Sequence, residues 1–305
     1  LTEEMPPETR LIINGDDLIA CGIAPENERK YFGIESLDTD VKECVNLIND
    51  LRVCPECSSI LKYEHLRYHH IGKAYCPDCG FKSPECDYKG KNADLENMTI
   101  EVEDGGETAK YRLLNDSVFN IYNVVAVVSL FRELGYSRER IKELLEQIEI
   151  VKSRFDVKEA GGHRIIKQMA KDKNALGASR AFDYVAGRPG DKELILMMNS
   201  LGDSKHWSEN VCWLYDADFE FLNRENIKNI VVTGPRAKDY YLRLKMAGIG
   251  DDRISFVERE LDSPKALKLE SGTDIYIFYG TDSITLCNNV AKNVEKAIEE
   301  RGETA

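Results

Sequence analysis

The order of apolar and polar residues changes near residue 151. Beyond that point, short apolar runs typical of strands alternate with stretches whose apolar positions recur at helical spacing. Such alternation predicts a doubly wound α/β domain at 151–305 with a mostly parallel sheet. The predicted strands are HRIIKQMA (163–170), ELILMMNS (193–200), NIVVTG (229–234), ISFVE (254–258) and DIYIFYG (274–280), and the predicted helices cover 178–186, 236–248 and 283–301.

The first half of the chain, residues 1–150, contains the segment RLIINGDDLIACGI at 10–23. Its first apolar run ends in Asn14-Gly15-Asp16-Asp17, and a second apolar segment follows. This pattern indicates a buried strand with a polar turn at its carboxyl end, the position where open α/β sheets bind ligands. An Asx turn that only joins a strand to a helix would produce the same pattern.

A hairpin is predicted later in this half. Two segments with strand-like alternation, 98–103 and 108–114, flank Asp104-Gly105-Gly106. A glycine-containing turn between such segments is typical of a β-hairpin. We expect these strands to form a small antiparallel sheet packed beside the main one.

A helical pattern follows the hairpin. Apolar positions over 124–134 follow helical spacing, Gly135 ends this helix, and Ser137 caps a second helix that runs to about residue 148. Asn120 and Asn123 stand at the entry of the first helix, where N-capping is the ordinary role of asparagine.

Four cysteines lie between the polar turn and the hairpin. Cys54 and Cys57 form one CxxC knuckle, Cys76 and Cys79 form a second, and 18 residues separate the two. This spacing is typical of four thiolates that close a tetrahedral zinc site, although a redox disulfide could use the same motif. We therefore predict a zinc ribbon at about 51–85. A complete shell of four ligands leaves no position for water or substrate, so the zinc is expected to stabilise the fold.

Three histidines, His65, His69 and His70, lie between the knuckles. They could be metal ligands, but four cysteines already complete the shell. We expect them to lie on a solvated hairpin. Cys86 follows the ribbon in a polar stretch, and we interpret it as a spare thiol.

Composition narrows the class of protein. The 305 residues carry a formal net charge of -13, which disfavours a nucleic-acid partner. No apolar run reaches the roughly 20 residues of a membrane span, and the first residues lack the basic and apolar regions of a signal peptide. Because four of the nine cysteines stand in metal spacing, we expect a reducing compartment and a cytoplasmic location.

Several short motifs occur in the order found in one family. Asn14-Gly15-Asp16-Asp17 is similar to the NADDP turn of the Mur ligase central domain, and FNIYNV at 119–124 is similar to the family's segment with two asparagines. SRFD at 153–156 resembles the GRFE linker motif, with serine for glycine and aspartate for glutamate. KNALG at 173–177 resembles KNPAG without the proline, and NVCWLYDADFE at 210–220 resembles DVSWLYDVDFE. With its four-cysteine ribbon, the chain resembles the MurT subunits of lipid II isoglutaminyl synthase, a branch of the Mur ligases.

The resemblance implies a fold and an activity. The fold would be a partial Mur ligase-like central domain at 1–150 that carries the zinc ribbon, followed by a doubly wound α/β C-terminal domain at 151–305. The activity would transfer the γ-phosphoryl group of ATP to the α-carboxylate of D-glutamate in lipid II, after which ammonia displaces phosphate and leaves D-isoglutamine. Magnesium and cationic side chains would offset the phosphate charge. This step would belong to peptidoglycan synthesis at the inner face of the membrane.

The resemblance also implies a set of nucleotide-binding residues, each with a structural alternative: Asp16, Asp17, Asn120, Asn123, Arg154 and Asn174. Asn120 and Asn123 would contact adenine, unless they only cap and pack their helix. Arg154 would reach the phosphates and Asn174 would lie near the ribose, although a linker arginine and a turn asparagine are the respective alternatives. The two aspartates would belong to the nucleotide side of their turn, with turn chemistry alone as the alternative.

In the family, ammonia comes from a partner, the GatD glutaminase, which brings a cysteine nucleophile and a histidine. The aspartate that precedes V-S-W in the MurT subunit orients that histidine, and here this position is Asn210. Asparagine can orient an imidazole through its carbonyl oxygen but supplies no full charge to the imidazolium. Glu209 or Asp216 could compensate, and an ordinary asparagine at a helix start is the alternative.

The family's GTNGKT phosphate loop, which lies upstream of the NADDP turn, is missing from this chain. We therefore expect the chain to correspond to the C-terminal two thirds of a MurT subunit, to bind ATP poorly or not at all on its own and to have no ligase turnover alone. The alternative is a protein of another class: a zinc-ribbon and α/β module that binds a partner without catalysis.

Overall fold

The computed structural model describes residues 5–148, 155–170, 174–198 and 211–302. The chain forms two compact units, Leu1–Glu149 and Ile150–Ala305. Within the described ranges, no helix combines the length and the apolar character needed to cross a membrane.

The first unit is built on a mixed sheet of five strands. Its elements in chain order are β1 (Leu11–Asn14), α1 (Leu18–Cys21), β2 (Arg29–Ile34), β3 (Lys62–Tyr68), β4 (Ile71–Tyr75), β5 (Tyr88–Asp94), β6 (Thr99–Asp104), β7 (Glu107–Arg112), α2 (Val118–Glu133) and α3 (Arg138–Glu146). The sheet order is β1-β2-β5-β6-β7, with β1, β2 and β5 parallel and the last two strands antiparallel. β3 and β4 form a separate antiparallel hairpin.

The predicted hairpin is present as β6 and β7, but the expectation of a separate small sheet is wrong. β5 pairs with β2 on one side and with β6 on the other, so the hairpin continues the main sheet. The polar sequence of β5, YKGKNAD, hides this strand from the hydrophobic pattern. A Cβ on Gly90 would lie 2.9 Å from Val125 Cγ2 and 3.0 Å from Ile100 Cδ1, so α2 packs closely against the sheet at this glycine.

The two predicted helices of this unit are confirmed. α2 is followed by Gly135 in the left-handed region, with φ of +86°, and Ser137 caps α3 by accepting a hydrogen bond from the Arg140 amide. Ser117, however, occupies the N-cap position of α2. Asn120 and Asn123 therefore lie inside the helix, and the N-capping alternative for them is wrong.

The second unit is a doubly wound α/β domain, as predicted. Its elements are β8 (Phe155–Ala160), β9 (His163–Met169), α4 (Ala175–Gly187), β10 (Lys192–Met197), α5 (Cys212–Asp216), β11 (Ile227–Thr233), α6 (Ala237–Met246), β12 (Ile254–Val257), β13 (Asp274–Tyr279) and α7 (Ile284–Gly302). The sheet order is β12-β11-β10-β13-β9-β8, and among these six strands only the edge strand β8 is antiparallel.

Alternate residues of the central strands supply two separate cores. Leu194 and Leu196 of β10 pack with α4 and α6 residues, whereas Ile195 and Met197 face a second cluster that includes Val290 of α7. Successive side chains of a strand point to opposite faces, so both faces of this sheet are covered by helices. A strand buried on both faces consists almost entirely of apolar residues, which is why the sequence pattern predicts β10 and β13.

Candidate functional site

The two CxxC motifs fold into knuckles of the same geometry. An isolated antiparallel bridge flanks each one, Val53 with Ile60 and Tyr75 with Lys82. The residue after each second cysteine, Ser58 or Gly80, adopts a positive φ of 64° or 78°. Its amide donates a hydrogen bond to the carbonyl oxygen of the first cysteine of the motif. This tight turn brings the two sulfurs of each motif to the same side.

The four sulfurs converge on one point. Cys54 Sγ lies 3.6 Å from Cys79 Sγ, Cys57 Sγ lies 3.5 Å from Cys76 Sγ, and all four atoms are within 4.8 Å of one another. A tetrahedron with Zn–S bonds of about 2.3 Å has edges of about 3.8 Å, so the cluster fits a zinc ion. Within the described ranges, no other set of three or more His, Cys, Asp or Glu side chains converges in this way.

Ionisation of the cluster also favours a cation. Hydrogen bonds from the Ser59 side chain and amide lower the pKa of the Cys57 thiol to about 6. A hydrogen bond from the Phe81 amide lowers the pKa of Cys79, but burial and the neighbouring sulfurs outweigh it and raise that pKa to about 12. The group thus holds one thiolate readily, and a divalent cation would allow the remaining thiols to ionise together.

The hairpin β3–β4 connects the two knuckles and packs on the polar turn at residues 14–17. Arg67 of β3 is the main contact: its Nη1 donates to Asp16 Oδ2 at 2.9 Å, and both side chains are almost fully buried. Its Nη2 donates to the carbonyl oxygens of Ile34 and Glu35. The Asp40 carboxylate lies 3.4 Å from Arg67 Nε and adds a second negative charge.

Asp16 Oδ2 accepts two further hydrogen bonds, from the Ile34 amide at 3.0 Å and from the Tyr122 hydroxyl at 2.7 Å. Burial and the Asp16 charge raise the pKa of Tyr122 well above its ordinary value, so this hydroxyl stays a donor. With three donors on one oxygen and about 4% of the residue exposed, Asp16 serves the internal structure of the unit. This arrangement supports the turn-chemistry alternative for Asp16.

Asp17 remains partly accessible at the surface of the same turn. Its Oδ1 caps α1 through the Ile19 and Ala20 amides and lies 3.0 Å from His70 Nε2. Burial raises the pKa of Asp17, but the hydrogen bonds from His70 and from the two amides outweigh it and hold the pKa below its ordinary value. Asp50 Oδ2 lies 3.4 Å from the other ring nitrogen of His70.

The expectation that the three histidines are solvated is wrong. His69 is buried, its amide donates to Asn46 Oδ1 and its Nδ1 lies 2.9 Å from the Ile48 carbonyl oxygen. His65 and His70 are half-buried. The hydrophobic pattern could not show this, because the hairpin is covered by residues 46–50 and by the polar turn.

The two asparagines of α2 differ in accessibility. Asn120 is buried, and its Nδ2 donates to the Asn115 carbonyl oxygen at 3.3 Å. Asn123, one turn later, is exposed. Of the two, Asn123 offers its amide group to solvent.

Of the site residues that the sequence predicts in the second unit, only two lie within the described residues. Asn174 caps α4: its Oδ1 accepts from the Gly177 amide at 2.8 Å. Asp216 is exposed at the end of α5. Arg154 and Asn210 lie outside the described residues.

A buried arginine that the sequence patterns do not reveal holds the segment after Asn210. Arg243 of α6 donates to the carbonyl oxygens of Leu214 and Ala217 and to Glu220 Oε2. Its guanidinium also lies 5.2 Å from the centre of the Phe219 ring. Nothing in the sequence marks this residue, because its helix carries several charged positions of equal appearance.

Solved structures share the fold of the chain. A pseudomurein peptide ligase type C from Methanothermus fervidus matches with a TM-score of 0.66 and 20% identity over 95% of this chain and 56% of that one. MurF from Acinetobacter baumannii matches with a TM-score of 0.58 and 16% identity, covering 97% of this chain and 54% of that one. The fold is thus that of a Mur ligase-like α/β protein.

Sequence comparison shows similarity to MurT subunits. A family model described as MurT ligase C-terminal matches residues 172–281. The lipid II isoglutaminyl synthase (glutamine-hydrolyzing) subunit MurT of Staphylococcus aureus strain COL is 28% identical over 254 residues, 83% of this chain and 55% of that protein. Its counterpart in Streptococcus pneumoniae R6 is 28% identical over 253 residues, 82% of this chain and 54% of that protein. Residues 172–281 thus match the MurT ligase C-terminal family, and the chain spans about half the length of the curated relatives it matches.

Proposed function

We propose that the chain is part of the synthetase subunit of a glutamine-dependent ligase that amidates a carboxylate of a lipid-linked peptidoglycan precursor. The match of residues 172–281 to the MurT ligase C-terminal family carries this proposal. The four-cysteine cluster supports it, because the four-cysteine ribbon is part of the resemblance of the sequence to the MurT branch. The substrate is the α-carboxylate of D-glutamate in lipid II, and the product is D-isoglutamine.

The reaction needs activation because a carboxylate is a poor electrophile at neutral pH. A carboxylate oxygen attacks the γ-phosphorus of ATP, ADP departs, and an acyl phosphate forms. Ammonia then attacks the acyl carbon, inorganic phosphate leaves with the bonding electrons, and the amide loses a proton to solvent. A bound magnesium ion would supply positive charge that offsets the negative charge of the phosphates.

The solvent exposure of the four candidate side chains in the first unit decides which of them we propose to contact the nucleotide. Asp17 and Asn123 keep polar atoms at the surface, whereas Asp16 and Asn120 are buried. We therefore assign Asp16 to holding the turn, and Asp17 and Asn123 to contacts with the nucleotide. In the second unit, Arg154 contacts the phosphates, and Asn174 approaches the ribose through its Nδ2, since its Oδ1 caps α4.

Zinc holds the ribbon together in this proposal and takes no part in the reaction. Cys54 and Cys76 are buried, Cys57 and Cys79 complete the shell, and a closed shell of four cysteines has no open position. Metal analysis should find one zinc per chain. A Cys57→Ser variant should lose it, while Cys212→Ser, outside the cluster, should retain it.

Ammonia is supplied by a GatD-type glutaminase partner, with Asn210 orienting the catalytic histidine of that partner through its carbonyl oxygen. Asp216, exposed at the end of α5, is the neighbouring carboxylate that can provide charge. The test is glutamine hydrolysis by such a partner, with and without this chain. Variants Asn210→Asp and Asp216→Asn probe the two roles, and Asn289→Asp, an exposed position on α7, controls for added charge.

Stimulation of glutaminase by the unchanged chain, weakened by Asp216→Asn and unaltered by Asn289→Asp, would support the assignment. Stimulation only by Asn210→Asp would mean that the chain docks but lacks the acid. No stimulation by any variant would reject the amidotransferase role.

A second candidate is a module that binds a partner without catalysis. Asp16 and Asn174, both expected on the nucleotide side, each have a carboxylate or amide oxygen engaged in internal structure, which favours this alternative. It predicts partner binding whose affinity does not change with ATP. Titration calorimetry with and without ATP and magnesium tests this prediction, and an affinity that changes with ATP would reject the binding module.

A further inference from the structure

We propose that Arg67 and His70 are positioning residues through which the metal-holding hairpin fixes the polar turn at residues 14–17. The turn itself is short and polar. The Ile34 amide and the Tyr122 hydroxyl bind Asp16 from other elements of the unit. Further contacts to the turn come from the hairpin β3–β4, whose two ends run into the cysteine knuckles.

Three separate contacts join the hairpin to the turn. Arg67 binds the Asp16 carboxylate, His70 Nε2 lies 3.0 Å from Asp17 Oδ1, and the Gly72 amide donates to the Asp16 carbonyl oxygen at 2.9 Å. Both aspartates of the turn are thus held by side chains from one hairpin. A buried arginine with several acceptors is a rigid support, because moving it would leave charged and polar groups unpaired in the interior.

A hydrophobic cluster continues the connection from the turn to the metal site. Leu18, the first residue of α1 and the next residue after Asp17, packs in one cluster with the ligand residues Cys54 and Cys76 and with Leu66 of β3. The metal would fix the knuckles, the knuckles hold both ends of the hairpin, and the hairpin carries Arg67 and His70. Loss of the metal should therefore loosen the turn.

Glycine at position 72 is part of this arrangement. A Cβ there would lie 2.2 Å from the His65 carbonyl oxygen and 2.8 Å from Leu66 Cα. The two strands of the hairpin approach each other too closely at this point for any side chain. This close approach places the Gly72 amide within reach of Asp16.

The use of the turn for nucleotide binding rests on the proposed function, whereas the coupling between hairpin and turn does not. Amide hydrogen exchange without nucleotide measures the coupling alone. The informative amides are those of Ile19, Ala20 and Ile34, whose acceptors are the carboxylates of Asp17 and Asp16. Amides of the β6–β7 hairpin, in the same unit, serve as the internal reference.

Arg67→Lys keeps the charge but removes the fork that reaches Asp16 and two carbonyl oxygens together. We expect exchange at the three informative amides to accelerate at least about tenfold, with the reference amides unchanged. The visible spectrum of the cobalt(II)-substituted cysteine site should also stay unchanged, which separates positioning from loss of the metal. Arg112→Lys, at an exposed position of β7, is the matched control and should alter neither measurement.

His70 provides an independent test should Arg67→Lys fail to fold. His70→Ala should accelerate exchange at Ile19 and Ala20, and His70→Gln, whose amide can again donate to Asp17, should restore protection. Chelation of the metal should accelerate the same amides in the unchanged chain. Protection of the turn that survives both chelation and the His70→Ala change would overturn the proposal, whatever the chain does with ATP.

Discussion

Arg67 Nη1 lies 2.9 Å from Asp16 Oδ2, and the exposed fractions of the two side chains are 1% and 5%. This ion pair joins β3, a strand of the hairpin between the two cysteine knuckles, to the turn that follows β1, and the two residues are 51 positions apart in the chain. Buried pairs of this kind are costly to break from one side, because the remaining charge stays in the interior without its partner.

Arg67→Met should destabilise the first unit by about 3–5 kcal/mol, because it removes the ion-pair partner of the buried Asp16 and the donor to two carbonyl oxygens. Adding Asp16→Asn should recover part of this loss, since the unpaired negative charge is then removed. Urea denaturation of the single and double variants measures the difference. Fully additive losses would show that the two side chains do not act as a pair.

Gly72→Ala should prevent the hairpin from closing on the turn, because the new Cβ would overlap the backbone of the opposite strand. We expect a loss of the order known for overpacked interiors, about 1–3 kcal/mol or more. Thermal unfolding is the measurement. Gly187→Ala is the matched control: a Cβ at this position meets no neighbouring atom within 4 Å, so this change should be neutral or slightly stabilising.

Asp17 should make the stability of the first unit depend on pH in the acidic range. Its pKa is lowered in the fold despite burial, because His70 and the two helix amides bind the charged form. A depressed carboxyl pKa contributes stability above the unfolded value near 3.8, and this contribution is lost as the pH falls through the folded pKa. Asp17→Asn should therefore lower the free energy of unfolding at pH 7, and this effect should shrink as the pH falls below the unfolded value of 3.8 and through the lowered folded pKa. Urea denaturation of the two proteins across the acid range measures this effect, and a difference in unfolding free energy that does not shrink as the pH falls below 3.8 would contradict this origin.

Arg243→Met should destabilise the second unit by about 3 kcal/mol, since it leaves the Leu214 and Ala217 carbonyl oxygens and the Glu220 carboxylate without their donor. The segment at 211–222 should lose protection from proteolysis before the rest of the unit. Arg259→Met, at a position that is mostly exposed, is the control and should change stability by less than about 0.5 kcal/mol. Equal losses for the two variants would show that the buried contacts of Arg243 contribute little.

The sequence by itself determined the features that depend on local chemistry. The CxxC spacing predicted the knuckles because a tight turn places two sulfurs on one side whatever lies around it. The apolar runs of β10 and β13 predicted buried parallel strands, since both of their faces are covered. Ser137 and Gly135 marked helix ends for the same reason: their preferred dihedral angles and hydrogen bonds are local.

Only the tertiary structure decided what the polar residues do. Asp16 and Asp17 are neighbours in the chain, yet the first is buried beneath Arg67 and the second lies at the surface beside His70. Their partners Arg67 and His70 lie on a hairpin, 51 and 53 residues further along the chain. A local sequence pattern cannot predict contacts between residues so far apart in the chain. The sequence pattern also failed to predict the polar strand β5. This strand is held by backbone hydrogen bonds to the strands on either side, and its polar sequence shows no strand-like alternation of apolar residues. Burial and pairing of polar groups are properties of the assembled fold, and the physical roles of Asp16, Arg67 and Arg243 became visible only there.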